Sequence, residues 1–404
     1  MRLASRNSAQ TQAVPEVQRG LFKSALANVM LWLSETGFVS SAPPATVARP
    51  ALAAGSLGLF PAEDFRLIQG SCADCATLKE ALWYFQDDLV AVPKANVATA
   101  GFTRGISAQD DVRRWNAFVV GDAMQVRPQH VWIGSPSVIS DATLLESGDA
   151  LRLADGTLAR FAVTPKIPAN LSYYDPTTAK FFGQRALHIR GIVATGADGK
   201  PEVTARTIWP QDYTIGANDS KLAPLAPGET LHGLVRQVAG ATQYETRLLW
   251  ERNLGQPRNW DNLAVLGIML NGAQADDDEA HGGHFAIVTG RRGARGEWHD
   301  WLVNNFYNLD SFSEKGIIAS MVPMDNYLMD LNSGQAYYRP SYMLVALLRN
   351  DRAAYAYQGA IAQVFHHFYR HDMRYRHAGA NCAGISIDTL RTLGWNIPAL
   401  GATS

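Results

Sequence analysis

The last third of the chain sets the tightest limit on the fold, because short apolar segments separated by turn signals give way there to helical periodicity. In chain order the segments cover residues 263–270, 285–289, 301–306 and 342–348, then 354–369 and 382–393. The first fits a buried strand or a short helix, the next three are predicted strands, and the last two are predicted helices. Together they predict an α+β architecture from about residue 258 onward.

Residues 126–257 form a second region, in which short β-like segments are separated by turn residues. Alternation of apolar and polar residues around Asp155-Gly156 predicts one hairpin, and two further strand-like segments flank a second turn at residues 197–200. A β-rich module is therefore expected here, either separate or inserted.

Residues 1–125 are expected to be mainly helical. Apolar residues recur at helical spacing between residues 20 and 37, and a second helix is predicted to start near Ser71 and to run through Cys75. The pattern thus divides the chain into a helical N-terminal region, a β-rich module and an α+β domain at residues 258–404.

Composition excludes some classes of partner. The chain of 404 residues is 47% hydrophobic and has a net charge of -1, so nucleic acid and anionic membrane surfaces are not expected as main partners. It has neither an apolar run long enough for a transmembrane segment nor a visible signal peptide. A bacterial cell envelope or periplasm and a cytoplasm both stay open as compartments, and composition does not determine the oligomeric state.

Chemistry is suggested by a cysteine and a histidine in the last third of the chain. Cys382 opens the last predicted helix, and His284 follows Gly282-Gly283 at the start of a predicted strand. A helix N-terminus favours the thiolate form of a cysteine, and an imidazole can accept the thiol proton and later protonate a leaving group. This pair predicts a cysteine hydrolase with Cys382 as nucleophile and His284 as general acid/base.

A third residue should hold the imidazole in the productive tautomer. Asn304 and Asn305 lie at the distance of a hairpin partner strand, and only one of them can share a face with His284 because alternate strand residues point to opposite sides. We expect Asn305, with Asn304 and Asp310 as second choices. The backbone N–H of Cys382 is the expected donor to an oxyanion.

The segment from Gly283 to Val288 (GHFAIV), followed by Asn304-Asn305, resembles the corresponding strands of CHAP-type amidohydrolases in the papain-like superfamily. Because Asn381-Cys382 comes after the histidine, the order is similar to the circularly permuted branch, which includes lecithin:retinol acyltransferase-like and Lnb-type periplasmic proteins. The resemblance covers the last third only. It implies a sheet packed on the helix that carries the cysteine, and an amidase, peptidase or acyl-transfer activity without cofactor or metal.

Other interpretations of these residues stay open. Cys72 or Cys75 precedes His284 and could be the nucleophile in the unpermuted order, and His281 competes with His284 as base. Cys72 and Cys75 could also form a local disulfide. His367 and His371, in the run His366–His371, have the spacing of zinc ligands on a helix, although the glutamate of a His-Glu-x-x-His motif is missing.

The predicted function is therefore hydrolysis of an amide bond, peptide or isopeptide, or of an ester, through a thiol-acyl intermediate. A peptidoglycan fragment or another peptide is the first expected substrate, and an acylated small molecule or lipid the second. The alternatives are a catalytically inactive papain-like binding protein and a zinc hydrolase.

Overall fold

The chain is of mixed α+β class. The computed structural model describes the short strands 59–60, 67–68, 71–72 and 90–93, together with residues 103, 105–121, 130–133, 137–163, 176–217, 222–236, 245–252, 257–272, 283–310, 315–331, 335–338, 340–369, 372–373, 375–376 and 378–398.

The described helices are α1 (Ala108–Gly121), α2 (Pro176–Phe182), α3 (Leu231–Arg236), α4 (Met324–Met329), α5 (Gln335–Tyr338), α6 (Arg352–Tyr369) and α7 (Cys382–Thr392). The described strands are β1 (Leu59–Phe60), β2 (Leu67–Ile68), β3 (Ser71–Cys72), β4 (Val90–Pro93), β5 (His130–Ile133), β6 (Ser137–Leu144), β7 (Ala150–Arg152), β8 (Leu158–Val163), β9 (Leu187–Thr195), β10 (Pro201–Pro210), β11 (Ala223–Pro224), β12 (Arg247–Leu248), β13 (Ala264–Asn271), β14 (His284–Arg291), β15 (Leu302–Asp310), β16 (Lys315–Pro323) and β17 (Ser341–Leu348).

An eight-stranded sheet is the centre of the fold. Its strand order is β1-β5-β4-β16-β15-β14-β13-β17, with β1 and β5 parallel and the other neighbours antiparallel. The segment at 263–270, for which the sequence allowed a strand or a helix, is a strand because it pairs along its whole length with both β14 and β17. The last two predicted helices are confirmed as α6 and α7.

Both faces of this sheet are covered. Ile287, Leu302 and Phe306 point to one face, where they pack against α1, α6 and α7. Ala286 and Val288 point to the other face, where they pack with Trp298, Tyr327 of α4 and neighbouring residues. Successive side chains of a strand point to opposite faces of the sheet. Odd- and even-numbered residues of β14, and likewise of β15, therefore contact different layers.

The second module is a closed barrel with strand order β10-β8-β7-β6-β9. Its two predicted hairpins are confirmed, since β7 pairs antiparallel with β8 and β9 pairs antiparallel with β10. Gly156 and Gly199, which have φ values of +85° and +77°, lie in the two turns. Leu187, Ile189 and Ile208 are among the residues that fill the barrel core.

A charged contact and an aromatic contact join the barrel to the rest of the fold. Arg190 of β9 is fully buried and forms a forked ion pair with Asp325 of α4, at 2.9 and 3.0 Å. Trp209 of β10 packs edge-on against Trp298, with ring centroids 4.1 Å apart. The barrel therefore docks on the α4 side of the molecule.

The N-terminal region, expected to be mainly helical, contains helix α1 but also four short strands among its described residues. The helix predicted to begin at Ser71 is wrong there, because Ser71 and Cys72 instead form strand β3, whose backbone pairs with β2. Strands β1 and β4 join the large sheet, so pairing with distant strands replaces local helix formation. The predicted helix at 20–37 lies outside the described residues, and the region boundaries stay predictions. Within the described part of the chain, none of the helices combines the length and apolarity required to cross a bilayer.

Candidate functional site

His284 is the first residue of β14 and is 2% exposed. Its Nε2 atom donates a hydrogen bond to Oδ1 of Asn305, at 2.7 Å. In the register of the two strands Ile287 lies opposite Asn304, so Asn305 is placed diagonally from His284 on the same face. An imidazole that donates from Nε2 keeps Nδ1 as the basic atom. Asn305, the residue expected from the sequence, is thus the asparagine hydrogen bonded to His284, and the catalytic roles of both residues stay predictions.

A row of polar side chains continues from His284 across the next two strands. Asn271 lies opposite His284, accepts a hydrogen bond from the Tyr327 hydroxyl, and donates one from Nδ2 to the Ser341 hydroxyl at 2.7 Å. The Tyr327 ring lies with its centroid 6.0 Å from that of His284. The row consists of Asn305, His284, Asn271 and Ser341, and we call it the polar row.

Asn304 has a different role from Asn305. It points to the helical face, donates to the carbonyl oxygen of Ile287 at 3.1 Å and accepts from Nε2 of Gln358 at 3.2 Å. Gln358 of α6 is also in contact with the Thr289 hydroxyl. Asn304 is thus part of a buried hydrogen-bond network that ties α6 to the sheet, which accounts for its presence without any role at His284.

Cys382 begins α7, as the sequence predicts. Asn381 caps the helix by accepting a hydrogen bond at Oδ1 from the N–H of Gly384, at 2.8 Å. The Cys382 backbone N–H donates to the hydroxyl oxygen of Tyr375, at 3.3 Å, and the thiol-bearing residue is 8% exposed. The predicted oxyanion donor therefore already has a partner, the Tyr375 hydroxyl.

The structure places α7 and the His284 imidazole on opposite faces of the sheet. Ile385 and Leu390 of α7 pack with Ile287 on the helical face, whereas His284 shares the parity of Ala286 on the α4 face. The alternation of side chains along β14 that places His284 beside Asn305 also directs it away from the face on which α7 packs. The thiol and imidazole can act on one substrate only beyond the ends of the strands, and His284 is the terminal residue of its strand.

Known proteins give no further guide to this site. Comparisons with protein-family models, curated proteins and solved structures found no match. The function proposed below therefore depends on the geometry and chemistry of the chain's own residues and on the motif resemblance of its last third.

Several candidate residues lie outside the described part of the chain. These are Cys75, His281 and His371. Asp310 is the last residue of β15, and its side chain is not described.

The two histidines of the run at 366–371 that the structure describes, His366 and His367 of α6, are buried. His367 is 1% exposed, and its Nε2 and Nδ1 atoms are hydrogen bonded to Asp111 at 2.6 Å and to Asp372 at 2.9 Å. Both ring nitrogens are thus engaged by carboxylates, which link α6 to α1 and to the loop before α7. These contacts make His367 a hydrogen-bonded link at this helix end, and the described residues contain no group of three or more histidine, cysteine or carboxylate side chains placed to hold a metal ion.

A second cluster of titratable groups lies between the barrel and the α4 face. The ring of His188 lies 4.2 Å from that of His299, and burial together with the nearby His299 lowers the pKa of His188 to about 4. Burial opposes the charge on His299, but its partner Asp300 raises the pKa of His299 overall. Burial likewise opposes ionisation of Asp300, yet His299 and Arg190 hold its pKa well below the usual range. Near neutral pH His188 is therefore the uncharged histidine of this cluster.

The polar row beyond His284 and the Tyr375 contact were not predicted from the sequence. Asn271 directly follows the segment at 263–270 and Ser341 directly precedes the predicted strand at 342–348, so their positions become informative once the strand order is known. Tyr327 and Tyr375 come from a short helix and a loop, where the sequence offers no periodicity to place them.

Proposed function

We propose that this chain hydrolyses amide or ester bonds, with His284 as general acid/base, Asn305 as the residue that orients it, and Cys382 as the nucleophile. The hydrogen bond from His284 Nε2 to Asn305 carries the proposal, because it fixes the tautomer that leaves Nδ1 able to accept a proton. A permuted papain-like arrangement of the last third is part of the same proposal.

The chemistry follows from these roles. Nδ1 of His284 accepts the proton of the Cys382 thiol, and the sulfur attacks the carbonyl carbon to form a tetrahedral oxyanion. When the intermediate collapses, the carbon–nitrogen or carbon–oxygen bond breaks and the imidazolium returns the proton to the leaving group. Water then attacks the thioester, loses a proton to the imidazole, and releases the acid and the free thiol.

Two features set conditions on this mechanism. Because α7 packs on the face opposite His284, the thiol and imidazole must meet beyond the strand ends when substrate is bound. The oxyanion must also displace the Tyr375 hydroxyl from the Cys382 N–H, or share that site with it. A Tyr375→Phe variant removes the competing acceptor and separates these two cases.

The substrate class rests on the resemblance of the C-terminal segment to cell-wall amidases. A peptide or isopeptide amide, as in a peptidoglycan fragment, is the first choice. An acylated lipid or small molecule is the second.

A non-catalytic binding protein is the second candidate function. The separation of α7 and His284 by the sheet and the burial of Cys382 favour it. In that case the polar row would bind polar groups of a ligand without covalent chemistry, because its amides and hydroxyls are hydrogen-bonding groups on one face.

The test is turnover on a panel of amide and ester substrates, including muropeptides and short-chain thioesters. We expect the wild-type chain to turn over at least one of them, and Cys382→Ala and His284→Gln each to abolish this activity. His232→Gln, on the exposed side of α3, is the matched control and should retain full activity. Full turnover by Cys382→Ala would reject the cysteine mechanism, and saturable binding without turnover would favour the binding protein.

A further inference from the structure

A polar cleft lies at the end of β14 that is remote from His284. It has a volume of about 440 Å³ and is lined by residues from three segments, 214–217, 258–261 and 292–295. Arg292 follows the last residue of β14, eight residues from His284, so roughly 25 Å of strand separates the cleft from the polar row. We call it the arginine cleft, after Arg258, Arg292 and Arg295.

Arg292 is held rigidly in the wall of this cleft. Its Nε donates to the carbonyl oxygen of Ile215 at 2.7 Å, and Nη1 donates to Asp261 at 2.9 Å and to the carbonyl of Gly293 at 3.1 Å. The side chain is 4% exposed, but its Nη2 makes no hydrogen bond to any described residue and is not sealed from solvent. A nearly buried guanidinium thus keeps a donor for a ligand.

Arg258 repeats this arrangement on the facing segment. Its Nε donates to both carboxylate oxygens of Glu251 at 3.1 Å, and Nη1 donates to the carbonyl of Ala217 at 3.2 Å. Its guanidinium lies 5.4 Å from the centroid of the Trp260 ring. As in Arg292, the Nη2 atom makes no hydrogen bond to the described part of the chain, so the cleft has two positioned donors.

The lining offers an anion fixed guanidinium donors rather than a net positive charge. Among the described residues, three arginines and the carboxylate of Asp261 line the cleft. Each of these arginines has one carboxylate partner: Asp261 for Arg292, Glu251 for Arg258 and Glu297 for Arg295. Guanidinium groups bind carboxylate and phosphate through paired N–H donors, and fixed guanidinium groups lose little entropy in doing so.

The walls are also fixed relative to each other. The N–H of Ile215 donates to the carbonyl of Gly296 at 2.8 Å, and the carbonyl of Arg292 accepts from Asn262 at 3.2 Å. Gly296 has a φ of +90°, and a Cβ atom there would overlap the Ile215 backbone, so the two segments pack as closely as the chain allows. The cleft is therefore largely preformed, as small-molecule sites usually are.

We propose that the arginine cleft binds a small molecule through an anionic group, a carboxylate or a phosphate, held between Arg258 and Arg292. The site is independent of the hydrolytic function proposed above.

The experiment is isothermal titration calorimetry of the full chain with inorganic phosphate and, separately, with malonate. We expect saturable binding of at least one probe, weakened by added sodium chloride. Arg258→Gln should weaken binding about tenfold, since it removes one charge-assisted contact. Arg160→Gln, an exposed and ion-paired arginine on the barrel, is the matched control and should bind like the wild type.

Arg292→Lys tests the second donor. If Arg292→Lys does not fold, Arg258→Gln still tests the proposal. Preference for phosphate or malonate identifies which anionic group the site takes. Failure of both probes to bind, or equal binding by the wild type and Arg258→Gln, would overturn the proposal. Neither result bears on hydrolysis, because the cleft and His284 lie at opposite ends of β14.

Discussion

Replacement of Arg190 by methionine is expected to destabilise the chain strongly, because it breaks a buried ion pair. Arg190 and Asp325 both have fully buried side chains, and two hydrogen bonds of 2.9 and 3.0 Å join them. Arg190 also donates to Asp300 at 3.3 Å. Methionine fills much of the space of the arginine stem but donates no hydrogen bond.

The size of the effect depends on the group left behind. After Arg190→Met, the Asp325 carboxylate keeps the Thr207 hydroxyl, at 3.0 Å, as its one side-chain donor among the described residues. Removal of one partner of a buried pair costs about 3–5 kcal/mol, mainly because a desolvated charge stays uncompensated. We expect a loss of that size in the free energy of unfolding, measured by urea denaturation followed by circular dichroism.

Two variants make the measurement specific. Arg190→Met/Asp325→Leu removes both charges and should recover most of the lost stability, because an apolar pair replaces the ionic one. Arg160→Met breaks an exposed ion pair on the same barrel and should leave the urea midpoint close to that of the wild type. The reasoning is refuted if Arg190→Met shifts the midpoint no more than Arg160→Met does.

Three further predictions concern the charged cluster, the start of α7 and the asparagine pair. His188 has a pKa of about 4 in the folded chain, below its ordinary value of 6.5. Between these pH values the folded state therefore binds fewer protons than the unfolded state. The free energy of unfolding should fall by up to about 3 kcal/mol as the pH drops from 6.5 to 4. His188→Gln should flatten this part of the profile, and an unchanged slope would show that another group titrates. A Cβ at Gly384 would overlap the carbonyl oxygen of Gly379, so Gly384→Ala should lower the melting temperature. Gly379→Ala places its Cβ in open space and should leave the melting temperature unchanged. Equal melting temperatures of the two variants would contradict the packing at the start of α7. Asn304→Ala should cost about 1–3 kcal/mol of stability by leaving buried partners unsatisfied. Asn305→Ala should instead lower kcat on any substrate found. Loss of kcat in Asn304→Ala and loss of stability in Asn305→Ala would contradict this assignment of the two asparagines.

Local pattern predicted much of the C-terminal architecture. The strand segments and the last two helices follow from periodicity. Strand alternation shows that only one of Asn304 and Asn305 can share a face with His284, and the register of β14 and β15 makes it Asn305. These features depend on residues that are neighbours in sequence or across one hairpin.

Long-range pairing could not be predicted in the same way. Closure of the barrel depends on parallel pairing of β8 with β10. The large sheet includes β4, which lies far upstream of β16, the strand it pairs with. The face that α7 covers depends on how two helices dock on the sheet, which no single segment encodes. Arg190 and Asp325 are 135 residues apart, so nothing local marks either as the partner of a buried charge.

The coupling of the Cys382 thiol to the His284 imidazole is the central claim, and cysteine-resolved alkylation tests it most directly. A short iodoacetamide pulse is applied at pH values from 5 to 9, and mass spectrometry reads the labelling of each cysteine, with His232→Gln as the control. The proposed function predicts that Cys382 is labelled rapidly near pH 6 in the wild type and slowly in His284→Ala. Identical pH profiles for Cys382 in the two proteins would show that the sheet keeps thiol and imidazole apart, and would contradict the hydrolase mechanism.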